Sequence, residues 1–135
     1  MDLALAVYNR MADDVTLTAM LAVYKGEPAV FTGPQVPEDA ELPYIWSYGN
    51  IGDSDDGNKL EPGRDIFRDI GCYTVNNGDP YQVELIAHRI HQLFHRHELA
   101  IESALTIIAV ASGPVVGETD DSVQGRTITI RLRIE

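Results

Sequence analysis

Four histidines fall within ten residues of one another, His88, His91, His95 and His97, and no other group of side chains in the chain is better placed to do chemistry. On a helix, spacings of three and four put His88, His91 and His95 along one line, with His97 rotated away. Two of these imidazoles could reach a zinc or nickel ion. A catalytic zinc helix, however, sets a Glu beside its ligands as base and draws a third ligand from elsewhere, and the His-Glu-x-x-His arrangement is missing here. Such spacing also arises readily by chance on an amphipathic helix. The favoured reading is a partly solvated helix flank, with His88, His91 and His95 as weak metal candidates only. Were that flank to meet a neighbouring subunit, protonation near the ordinary imidazole pKa of about 6.5 would change the contact.

Other constellations are weaker. Asp53, Asp55 and Asp56 resemble the start of a calcium loop, but Gly57 arrives early and the bidentate Glu is missing from its position, so a solvated turn is expected. Arg126, Arg131 and Arg133 could meet phosphates, yet arginines on a sheet face more often pair with carboxylates of the same chain or the next. The segment around Ser112, Gly113 and Pro114 has neither phosphate-loop spacing nor a Lys-Ser/Thr pair. A Gly-x-Ser-x-Gly elbow and a Cys-His pairing are also missing. The sequence therefore predicts no enzyme, no cofactor and no resident metal.

The elements that would carry these residues follow from periodicity. Leu3, Val7 and Met11 recur at helical spacing, and Asp13 or Asp14 can cap a second short helix through Val15, Leu17 and Leu21. Pro34 and Pro37 stiffen a linker into Tyr44-Ile45-Trp46-Ser47-Tyr48, a strand whose Tyr44, Trp46 and Tyr48 share one face. Those rings could fill the core, the favoured reading, or pack against another subunit, with Trp46 the interface candidate. Residues 49–63 read as a long polar loop that orders on contact with a partner. Residues 65–75 read as a longer strand. Asp79 then stands at an N-cap, Pro80 at the first helical position and Gln82 at the third, opening a helix that ends near His97. Its Val83, Ile86, Ala87, Ile90, Leu93 and Phe94 make one apolar stripe. Residues 105–112 supply a further strand and 113–125 a polar connection.

The last ten residues alternate strictly. Ile128, Ile130, Leu132 and Ile134 fall on one face, and Thr127, Thr129, Arg131 and Arg133 on the other, so the chain is expected to finish inside a sheet with no spare tail. The sum is a single α+β domain over residues 1–135, with a mainly antiparallel sheet of about four to five strands covered by one long helix, and with N-terminal helices.

Composition bounds the partners. The 135 residues, 44% hydrophobic, suffice for one core. A formal charge of -11, from 21 acidic against 10 basic residues, repels phosphate backbones and anionic lipid at long range. The single Cys72 allows no intrachain disulfide and is expected as a small core residue. Residues 1–11 lack a basic leader and are interrupted by Asn9 and Arg10, so neither a signal peptide nor a membrane span is expected.

Taken together, four features resemble the tail completion or tail terminator proteins of long-tailed phages and related prophage-like particles. They are the opening helices, Leu42-Pro43-Tyr44-Ile45 after a Pro-rich linker, residues 64–75 before a helix with Ile86-Ala87-His88-Arg89-Ile90, and Gly125-Arg126-Thr127 before an Arg-rich final strand. The resemblance spans nearly the whole chain and departs from the family in the longer acidic loop and the histidine cluster. It implies a structural virion protein in which six copies form a ring on the head-proximal end of the tail. That ring stops tube polymerisation and joins the tube protein to the head-tail connector, and the genome passes through without specific binding. Assembly in the host cytoplasm is implied with it. Interface candidates are Asp53, Asp55, Asp56, Trp46, Arg131 and Arg133. The alternatives are a neck or head completion protein, and a small histidine-dependent metal-binding protein.

Overall fold

The computed structural model describes residues 3–49, 65–99, 107–117 and 119–134. The chain runs α1 (Leu3–Ala12), α2 (Val15–Thr18), β1 (Val23–Tyr24), β2 (Glu27–Pro28), β3 (Val30–Phe31), β4 (Tyr44–Gly49), β5 (Asp65–Val75), α3 (Tyr81–Phe94), β6 (His97–Leu99), β7 (Ile107–Val116) and β8 (Val123–Ile134). The strands β3 to β8 form one sheet in the order β3-β4-β5-β8-β7-β6, and β1 and β2 form a separate hairpin.

The central ladder pairs β5 with β8 antiparallel over the whole length of β5, from Asp65 opposite Arg133 to Val75 opposite Val123. A two-residue period then sorts the sheet. Ile66, Ile70 and Cys72 of β5 and Ile128, Ile130 and Leu132 of β8 are buried on one face, joined by Ile45 from β4 and Ala109 and Ala111 from β7. On this face α3 lays its stripe of Val83, Ile86, Ala87, Ile90, Leu93 and Phe94, all buried. Val7 and Met11 of α1 and Leu17 of α2 complete the same core. Covering a large side chain such as Ile90 or Phe94 contributes roughly 1.5–3 kcal/mol each, so the stripe is what fixes α3 to the sheet.

The architecture is α+β as expected, but among the described residues the sheet has six strands and is mixed, because β3 runs parallel to β4. The two extra strands, β3 and β6, have two and three residues, too short for a two-residue alternation to register in sequence. Cover comes from α1 as well as from the long helix.

Several boundaries move. Pro80 holds the N-cap position of α3, and Asp79 stands one residue outside it, its Oδ1 accepting from the Tyr81 N–H at 3.0 Å. The helix stops at Phe94, not near His97, because Arg96 takes a left-handed φ of 60° and turns the chain into β6, where His97 is the first residue. The expected polar connection over 113–125 shrinks to 117–122, since a register shift between Ser112 and Val115 keeps β7 paired with β8 past Gly113 and Pro114. Between β1 and β2, Lys25 and Gly26 both have positive φ, 49° and 85°, the backbone of a two-residue type I′ turn.

The aromatic strand is the largest departure. Tyr44, Trp46 and Tyr48 point to the sheet face opposite the helices, where they are half-buried, so they do not fill the core. Ile45 and Ser47, between them, face inward and are buried. On the outer face Phe31, Tyr44 and Tyr73 form a chain of ring contacts with centroids 5.8 and 5.3 Å apart, while Trp46 meets Tyr48 at 4.5 Å and donates its indole N–H to the Gly33 carbonyl.

Candidate functional site

The histidines do not form a uniform flank. His88 is exposed on α3, His97 is exposed at the start of β6, and His91 and His95 are half-buried against the sheet. The last two stack with ring centroids 4.8 Å apart and planes at 29°. His95 turns to a residue across the gap, where the Ala111 N–H donates to its Nδ1 at 3.2 Å. Burial, helped by the neighbouring His95 and His88, pulls the His91 pKa below its ordinary value, with the Ala111 backbone acting the other way. Among the described residues no group of three metal-ligating side chains converges. The His95 ring meets a β-strand amide, a contact the spacing alone did not reveal.

Two further braces tie the helices down. Asp14 caps α2 by accepting from the Leu17 N–H at 2.8 Å and also takes both prongs of Arg89 from α3. Arg10 of α1 donates from Nε to the Leu93 carbonyl at 2.8 Å, satisfying one of the orphan carbonyls at the end of α3. Beside these braces lies a cleft of about 540 Å³ between α1, the end of α3 and β6, with Ala6, Leu93 and Leu99 on its apolar wall and Arg10, Asp13 and Glu98 among its charged groups.

The arginines predicted to share a stripe are split. Arg126 lies on the helix side and pairs through Nε with Glu84 of α3. Arg131 and Arg133, of odd register, are exposed on the outer face with Thr127 and Thr129. The outer face thus combines Trp46, Tyr44 and Tyr48 with Arg131 and Arg133, bringing together three of the interface candidates. Asp53, Asp55 and Asp56, and the expected loop over 49–63 beyond Gly49, lie outside the described residues. A buried arginine was not anticipated: Arg68, on the inner face of β5, donates to the Ser47 carbonyl at 3.3 Å.

Cys72 is fully buried, and burial pushes its thiol up to about 12, so the thiolate is negligible at neutral pH.

No family model and no curated protein matches the chain. Among solved structures, a chain of the virion of a native gene transfer agent particle superposes with a TM-score of 0.70 at 17% identity, over 98% of this chain and 94% of that one. The two chains share one fold. At that identity the likeness is one of backbone architecture, and it leaves almost no part of either chain unmatched. Among the described residues no helix is long and apolar enough to cross a membrane.

Proposed function

We propose that this chain is a structural protein of a phage-like virion and that it acts as the tail terminator. The observation that carries the reading is the end-to-end likeness of fold to a virion chain, with 98% and 94% of the two lengths covered. The virion role comes to this chain by that analogy of fold. The sequence pattern of a terminator, with its ordered helices, Pro-led strand and Arg-rich final strand, supplies the finer assignment.

In this reading six copies close a ring on the tail tube through heterologous contacts, one patch meeting a different patch on the next copy. The outer sheet face, with its aromatic row and Arg131 and Arg133, provides one patch, and the short edge strands β3 and β6 leave backbone groups for others. The ring ends tube growth and offers its other side to the head-tail connector, which places the protein at the head-proximal end of the tail in the virion. A net charge of -11 reduces adhesion of DNA that passes through. The chain works by holding parts in place and makes no bonds itself, in keeping with an inert Cys72 and with a His95 imidazole engaged by Ala111.

A neck or head completion protein of the same particle fits the same likeness, and the position of the bound ring separates the two. A test in solution mixes purified chain with growing tail tubes. A terminator gives tubes that stop growing and carry a six-fold cap at one end in electron micrographs. Unaltered growth with bare ends overturns the assignment.

A further inference from the structure

The edge of the sheet at β7 is covered in two different ways. From Ile107 to Ala109 it is paired with β6, and Arg96 adds a bond from its N–H to the Ala109 carbonyl at 2.7 Å. The next backbone position facing outward is Ala111, where among the described residues no strand is paired and the end of α3 takes over. His95 Nδ1 accepts its N–H, and the His91 ring stacks on His95. A side chain thus does at Ala111 what a longer β6 would have done.

Imidazole can accept at Nδ1 only while that nitrogen carries no proton, so the Ala111 amide selects a neutral ring with its proton on Nε2. Protonation makes both ring nitrogens donors and sets an N–H against an N–H. It also places a charge beside a second titratable ring at 4.8 Å. Few other charges offset this. On α3, His88 disfavours a charge on His91, Arg89 is held by Asp14 of α2, and Glu84 is held by Arg126 of β8. On α1, Arg10 adds a positive group at Leu93, and β6 carries His97 and Glu98. The strand β7 has no ionisable side chain.

We propose that His95, stacked on His91, forms a proton-operated clasp that holds the end of α3 on the β7 edge at Ala111 and lets go when the His95 imidazole is protonated. The release exposes the backbone of an edge strand that continues to Val116, where Val115 and Val116 are already exposed. The sign is fixed by chemistry. A histidine whose folded pKa is lowered, as for His91, contributes stability that is complete above its unfolded value and is lost as pH falls below it. The clasp therefore holds while the ring is neutral and opens on acidification.

Amide hydrogen exchange read by NMR tests this on the intact chain, from about pH 7.5 to about pH 5.5 after correction for intrinsic exchange. In the unaltered protein, protection at Ala111 falls about tenfold or more over that range, while Ile128 and Ile130 in the sheet centre keep theirs. His95→Asn retains an acceptor that does not titrate, and the fall at Ala111 disappears. His88→Gln leaves the fall in place. Imidazole nitrogen shifts of His95 in the unaltered protein give a second readout, showing an unprotonated Nδ1 at the upper pH. Protection at Ala111 that is flat with pH, or a fall that persists in His95→Asn, overturns the clasp.

Discussion

Asp14 and Arg89, 75 residues apart in sequence, meet as a two-pronged pair, with Nη2 2.7 Å from Oδ1 and Nε 2.9 Å from Oδ2. The pair locks the short helix α2 to the long helix α3, and the same carboxylate caps α2 at Leu17. Side-chain hydrogen bonding to Arg89 holds the Asp14 carboxyl below its ordinary range. Asp14→Ala removes cap and pair together and lowers stability by about 1–2 kcal/mol, read from the midpoint of urea unfolding at unchanged slope. A loss within about 0.3 kcal/mol would show that the brace is idle.

The same pair sets an acid limit. A carboxylate with a lowered folded pKa contributes stability that is present above its unfolded value and is lost as pH falls through its folded one. Unfolding midpoints of the unaltered protein and Asp14→Asn therefore converge as pH drops below about 4. Midpoints that keep a constant gap down to about pH 2 would assign the stabilisation to something other than the charge of Asp14.

Phe94 is the largest fully buried side chain among the described residues, seated where α3 meets the sheet. Phe94→Ala costs about 3–5 kcal/mol and Ile90→Val only about 0.5–1.5 kcal/mol, the difference expected between a large cavity and one lost methyl group. Chemical denaturation measures both. Equal losses would mean that α3 is not packed as a single stripe.

Cys72 sits between β4 and β8 with its thiol pushed up to about 12. A thiol reagent at neutral pH labels it only after denaturant is added, because the native thiolate fraction is negligible and access is closed. Rapid labelling of the native protein would contradict the placement of β5 at the centre of the sheet.

Arg131 is exposed on the outer face and Trp46 lies on the same face. Arg131→Glu is expected to change stability by under about 0.5 kcal/mol, while removing most of the capping of tail tubes. Capping that survives both Arg131→Glu and Trp46→Ala would move the subunit contact to another surface.

Much of the fold is legible in the residues because long elements carry their own period. The bounds expected for β5 match those observed, and β8 and the α3 stripe follow from alternation and from spacings of three and four. What escaped was decided by distance in space. The strands β3 and β6 gain their character from partners, not from two or three residues of pattern. The strand Tyr44–Gly49 has a clear two-residue period, but whether the rings or Ile45 and Ser47 face the helices depends on register against β5, where Ile45 stands opposite Cys72. The histidines were conspicuous from their spacing, yet their role rests on Ala111, 16 residues beyond His95 and brought back by the β6–β7 hairpin. The arginines were expected to find carboxylates, and Arg126 does so with Glu84 after the sheet turns it away from Arg131 and Arg133.

Electron microscopy of particles assembled without this chain tests the proposed terminator role most directly. Filled heads lying beside unjoined tails are expected, with tube lengths spread beyond the normal value, and length and joining are restored when the chain is supplied. Joined particles with tails of normal length in its absence would contradict it.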